Sequence, residues 1–223
     1  MSPQRITKKE IKKDKFVTFT FKLSEWVQKH LNHVLMGGGG VVLIVLIVFF
    51  VLSSQSKRER KAAESLGKAS LELQSGDLRA AVGDLQIVVN QYGGTKSAGQ
   101  ADFLLASAYF YAKDYAQAQS FFERYLGKFN QDPLVAAAAQ AGIAECHVQR
   151  GNFALAGEAF VKAVSMNPQG LLSSQYLLEA ADAYLKAKQT DKAKDILNRL
   201  IKEYPASREV SRAQMLLTQS LSQ

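Results

Sequence analysis

Four segments of the chain align at a nearly fixed spacing: LELQSGDLRAAVGDLQIVV, AYFYAKDYAQAQSFFERYL, CHVQRGNFALAGEAFVKAV and AYLKAKQTDKAKDILNRLI. Each reads as the end of one helix, a short turn (SGD, AKD, RGN, KQTD) and a second helix. A small residue follows each turn, at Ala81, Ala118, Ala156 and Ala193, with separations of 37, 38 and 37 residues. Four positions on come Leu85, Phe122, Phe160 and Leu197, one helical turn along the same face. Glycine and proline punctuate the joints between units in NQYGGTKSAG, NQDPLV, NPQGLL and YPASRE. A helical pair of this size cannot bury its apolar face alone, so successive pairs must stack. No run of alternating β-branched residues follows residue 52, so this body is expected to be all-α, a solenoid of helical hairpins.

These units resemble tetratricopeptide repeats. In the third, Ala144 matches the small residue of the first helix, Gly151, Asn152 and Phe153 the turn, Ala156, Phe160 and Ala163 the second helix, and Pro168 the terminator. The second unit matches through Ala106, Tyr109, Asp114, Tyr115, Ala118 and Phe122, and the fourth through Ala181, Tyr184, Ala193 and Pro205. The first keeps Ala69, Gly76, Asp77, Ala81 and Leu85 but lacks the usual aromatics. The spacing exceeds the family's usual length of about 34 residues by three or four, assigned to longer turns. Four repeats are expected over residues 62–205. Val210, Ala213, Leu217 and Leu221 share one stripe in residues 206–223, which reads as a capping helix.

In the repeat family the first helix of each pair lines a concave groove. The resemblance places Leu66 and Leu73, then Phe103, Leu104, Phe110 and Tyr111, on that groove. Glu145, Val148 and Gln149 follow from the third unit, and Leu178, Asp182, Leu185 and Lys186 from the fourth. Aromatics beside mixed polar residues suit an apolar peptide or a partner helix; the alternative is that the chain's own helices cover them. Relatives that grip acidic C-termini use a basic clamp, but Leu66, Ser70, Phe103 and Ser107 hold the early groove positions.

Ahead of the repeats, Val34 to Leu52 contains no charge, proline or strong hydrogen-bonding side chain. As a helix it is about 28 Å long, close to the roughly 30 Å hydrocarbon core of a bilayer. Apolarity on every side of VVLIVLIVFFVL argues against a buried helix of a soluble domain. The block exceeds a usual signal-peptide core and no A-x-A-like cleavage site follows, so a retained transmembrane helix is expected at 34–52. Gly37 to Gly40 do not form a G-x-x-x-G pair; they allow either close packing with another membrane helix or simply a thin helix end. A basic juxtamembrane linker is expected over 53–61.

Residues 1–33 carry eight Lys/Arg against three acids, which favours a cytoplasmic N-terminus. Close to the span the bias disappears, since Lys57, Arg58, Arg60, Lys61 and Lys68 follow it, although long domains cross regardless of charge. Phe16, Phe19, Leu23 and Trp26 share a helical stripe suited to a lipid interface, while the β-branched residues of FVTFTF resist helix. His30 and His33 read as interfacial side chains rather than metal ligands.

The net charge is +8, and with the tail set aside only +3 remains on the body, which does not announce a nucleic-acid surface. Cys146 is the single cysteine, so no intramolecular disulfide can form. Its neighbour His147 points about 100° away around a helix, so the two form no nucleophile–base pair. No phosphate loop, G-x-S-x-G or H-E-x-x-H occurs. The chain is therefore expected to be no enzyme and to need no cofactor or metal.

The layout, with the string YGGTKSAGQADFLLASAYFYAKDYAQAQSFFERYL, resembles the YfgM-like ancillary subunits of the bacterial Sec translocon. That resemblance implies a single-pass inner-membrane protein with its repeat domain in the periplasm. There it would bind the export channel, a periplasmic chaperone or emerging secreted clients. The aromatic tail departs from that pattern. The alternative is a scaffold for envelope assembly, cell division or outer-membrane biogenesis that binds no client.

Overall fold

Every repeat turn closes through the same backbone device. Gly76, Lys113, Gly151 and Lys188 occupy equivalent positions and all have positive φ, at 84°, 64°, 75° and 58°. The following residue donates its N–H five positions back: Asp77 to Glu72, Asp114 to Tyr109, Asn152 to His147 and Gln189 to Tyr184, at 2.8–2.9 Å. A left-handed residue followed by that reaching bond satisfies the carbonyls that a helix end leaves orphaned. The same residues then open the next helix. Asp77 accepts from the N–H of Ala80 and Asp114 from that of Gln117, each at 3.1 Å.

The computed structural model describes the backbone of residues 8–221 and the side chains of 17–26, 28–30, 40 and 43–220. Among the described residues ten helices follow one another: α1 Lys8–Lys29, α2 Leu31–Ser75, α3 Leu78–Gln91, α4 Lys96–Tyr111, α5 Tyr115–Lys128, α6 Pro133–Gln149, α7 Phe153–Met166, α8 Ser173–Lys186, α9 Thr190–Glu203 and α10 Val210–Leu221. Among the described residues there is no strand. The chain divides into two units, Met1–Ser56 and Lys57–Gln223.

In the first unit, α1 runs helical straight through FVTFTF. The expected resistance of its β-branched residues is overcome, since each costs only up to about 0.7 kcal/mol. The hydroxyl of Thr20 also bonds the Val17 carbonyl at 2.8 Å. Phe19, Leu23 and Trp26 are exposed, as are Val17 and Phe21 on other sides of the helix; the Phe16 side chain lies outside the described residues. Among the described residues no helix is long and apolar enough to cross a membrane. The span expected at 34–52 falls partly outside them, because the side chains of 31–39, 41 and 42 are not described. Its described part, Leu43 to Leu52, exposes ten consecutive apolar side chains around the whole helix.

The second unit is the stack of repeats. Residues 57–61, the greater part of the expected linker, are helical and continue into the first repeat as α2. The small residues of the first helices (Ala69, Ala106, Ala144, Ala181) and of the second helices (Ala81, Ala118, Ala156, Ala193) have no exposed surface. Alanine at each crossing lets the backbones approach until Leu85, Phe122, Phe160 and Leu197, all buried, fill the space between. Ala213 of α10 is buried with Leu197 and Leu200 of α9, so α10 closes the last repeat. At the other end, the Glu59 carboxylate of α2 accepts from the backbone N–H groups of Lys96 and Ser97 and from the Ser97 hydroxyl. It thereby satisfies the N-terminus of α4 and favours it by charge. Between α4 and α5, the buried Asp102 accepts from the Arg124 Nε at 2.8 Å, and the guanidinium lies 4.4 Å over the Phe121 ring.

Candidate protein-binding groove

The first helices of the repeats bring their inner faces together. On α4, Phe103, Ser107 and Phe110 stand at i, i+4 and i+7; on α6, Val135, Gly142 and Glu145 stand at i, i+7 and i+10. These intervals keep each trio on one helix face. Phe122 and Tyr125 of α5 lie behind them. Phe103 meets Phe122 edge-on at 5.5 Å and Tyr125 edge-on at 5.9 Å, while Phe110 meets Tyr115 at 5.5 Å. Edge-to-face rings at these distances lock one another in place.

A pocket of about 410 Å³ opens between α2, α4 and α6, walled by Leu66, Phe103, Leu104, Tyr125, Phe129 and Val135. Lys96, Gln100 and Asp132 supply its polar edges. A smaller cleft of about 100 Å³ continues along the same two helices, between Phe110, Tyr111, Phe122, Gly142 and Glu145. The expected residues Leu66, Phe103, Leu104, Phe110, Tyr111 and Glu145 therefore meet in two neighbouring hollows. Tyr111 is 78% exposed, whereas Phe103 and Phe110 are half-buried and also pack on the core of the second repeat.

The far end of the groove is charged. Burial pushes the Glu145 carboxyl above its ordinary range, the Glu179 charge adds to this, and Lys186 partly offsets it. Burial likewise raises Glu179, helped by Asp182 and opposed by Arg212 and Lys186. Asp182 is paired with Arg212 at 3.1 Å, and the Lys186 ammonium sits 5.6 Å over the Phe153 ring. Val148 and Leu185 are half-buried, Gln149 is exposed, and Leu73 packs partly buried on the first repeat's core.

Leu178 requires a correction. It is buried in a cluster with Leu200 and with Ala213 of α10, so it is core and not groove lining. The capping helix adds packing that the repeat analogy alone omits. The analogy also misses Tyr125 and Phe129, which reach the pocket from α5 and from the cap just past its end, and Val135 and Gly142. Extending the Glu145 face of α6 back by three and ten residues points to those last two.

Cys146 is fully buried, and its thiol is pushed up to about 11, by burial first and then by the Glu145 charge. It stays protonated near neutral pH and is a poor nucleophile. Burial lowers His147. Among the described residues no group of three or more side chains is assembled to hold a metal.

Comparison with known proteins agrees with this architecture. Two tetratricopeptide repeat family models match, over residues 147–219 and 110–170. A family described as outer membrane lipoprotein matches residues 58–139. No curated protein matches in sequence. Among solved structures, the chain is similar to MamA protein at 19% identity and a TM-score of 0.54, covering 64% of this chain and 72% of that one. It is similar to tetratricopeptide-like repeats of a kinesin light chain ascribed to "Podosopora anserina" at 18% identity and TM-score 0.56, covering 74% and 86%. For the apo form of RapI the values are 14% and 0.59, covering 73% and 63%. These likenesses support the tetratricopeptide repeat superfamily and a helical solenoid; they indicate no enzymatic family.

Proposed function

We propose that this chain, whose tetratricopeptide repeats make it a protein–protein interaction module, works on the bacterial envelope membrane beside the Sec translocon. Its groove holds extended segments of the channel, of a periplasmic chaperone or of emerging clients. The observation that carries this reading is the aromatic-walled pocket of about 410 Å³ with its adjoining cleft, both on the first-helix side of the repeats. A concave, mostly apolar hollow with a few polar edges is suited to an anchor side chain of a partner. Ten consecutive exposed apolar residues at Leu43 to Leu52 support a lipid-embedded anchor, since water would penalise such a helix.

The test is in-cell photo-crosslinking with the reactive side chain placed at Ser107, inside the groove, or at Lys162, exposed on α7. Recovery of translocon subunits, a chaperone or secretory chains from Ser107 and not from Lys162 supports the reading. Equal recovery from both positions contradicts it.

A second reading is favoured by the outer membrane lipoprotein match over residues 58–139. Under it the repeats are a scaffold for envelope assembly, and the same crosslinker captures assembly components instead of translocon, chaperone or clients. A lipid-attachment cysteine directly follows a signal segment, whereas Cys146, the single cysteine, lies in the third repeat.

A further inference from the structure

The groove changes in charge along its length. The large pocket has both signs on its edge, Lys96 and Asp132, whereas Glu145, near the end of α6, is the one charged residue among those lining the small cleft. Beyond Glu145, α8 presents Glu179, Asp182 and Lys186 at i, i+3 and i+7, on one face. Asp182 has Arg212 as its partner, and Lys186 lies over Phe153. Glu145 and Glu179 belong to none of the ion pairs among the described residues. The Glu145 carboxylate, half-buried at the cleft and repelled by the Glu179 charge, is unfavourably placed in the free protein, and Lys186 offsets this only in part. A further cation brought to Glu145 reduces that penalty.

Resting on the groove function above, we propose that the occupant is an extended peptide segment carrying a bulky apolar residue followed, about four residues along, by lysine or arginine. The apolar side chain fills the pocket walled by Phe103, Tyr125 and Val135. The basic side chain reaches Glu145 and Glu179. The spacing follows from α6: Val135 and Glu145 are ten residues apart, about 15 Å of helix, and an extended chain covers that in four to five residues. Arginine suits the site best, since it can address two carboxylates and stack on the exposed Tyr111 ring. A peptide with acids at that position would meet uncompensated like charge, so discrimination comes from repulsion as well as attraction.

The experiment uses the full chain in nanodiscs of zwitterionic phospholipid, with empty nanodiscs as the blank. Fluorescence anisotropy follows three end-blocked peptides on a serine–glycine background. One carries phenylalanine with two arginines four and five residues on, one replaces the arginines by glutamates, and one replaces the phenylalanine by serine. The expected result is that the first binds at least tenfold more tightly than either other peptide. The charge preference should vanish in Glu145→Gln/Glu179→Gln with the melting temperature no lower than that of the wild type. If the arginine and glutamate peptides bind equally and Phe103→Ala weakens both, the groove function stands and the cationic specificity is overturned. Binding of none of the three to a folded protein would overturn both.

Discussion

Gly142 of α6 lies directly against the Phe122 ring of α5: a Cβ built at residue 142 would stand 2.5 Å from two of its ring carbons. No other residue leaves that space, and the ring it admits also floors the cleft between Phe110 and Glu145. Gly142→Ala should therefore displace the ring and destabilise the domain by about 1–3 kcal/mol, as overpacking does. Chemical denaturation checks this, and an unchanged midpoint would mean that α5 and α6 do not meet as described.

The four repeat turns contain a built-in comparison. Two use glycine at the left-handed position, Gly76 and Gly151, and two force lysine into it, Lys113 and Lys188. A side chain at positive φ is strained, whereas glycine is not, although glycine loses more entropy on folding. Lys113→Gly and Lys188→Gly should each stabilise by about 0.5 kcal/mol, and Gly151→Ala should destabilise by about 1 kcal/mol. Thermal melts of the three variants test the shared turn geometry.

Glu145 supplies a pH signature. Its folded carboxyl is raised above the usual 4.5, by burial and then by Glu179. The folded state therefore binds this proton more tightly than the unfolded chain does. That contribution to stability is fully present below the usual value and is lost as pH rises through the folded one. Glu145→Gln should accordingly raise stability near neutral pH by on the order of 0.5 kcal/mol, with the gain shrinking toward pH of about 4. A gain that is independent of pH would place the cause elsewhere than in the charge.

The exposed apolar run at Leu43–Leu52 and the basic tail together lead to a topological expectation. Protease added to spheroplasts should digest the repeat domain and spare the tail. A domain protected until the membrane is lysed would reverse the orientation.

The repeat register was legible because sterics leave so little choice at a helix crossing. Ala81, Ala118, Ala156 and Ala193 stand out by spacing, and all four prove fully buried. The groove was legible only along one helix of each pair. Phe103, Phe110 and Tyr111 follow from the repeat analogy, but Tyr125 enters from α5 and Phe129 from the residue that caps its end, and spacing within one helix cannot reveal what a neighbour contributes. The repeat analogy places Leu178 on the groove because position within a repeat does not register the cover added by α10. Residues 57–61 continue α2 for a reason visible in KRERK: no glycine or proline interrupts good helix formers.

The most direct test of groove binding is to compare Tyr111→Ala with the wild-type chain, measuring partner capture by the Ser107 crosslinker and melting temperature together. Tyr111 is 78% exposed, so its loss removes no core contact of consequence, yet its ring borders the cleft. Capture should fall at least tenfold, as for an aromatic anchor worth about 2 kcal/mol, with the melting temperature unchanged. Undiminished capture by the folded variant would contradict groove binding.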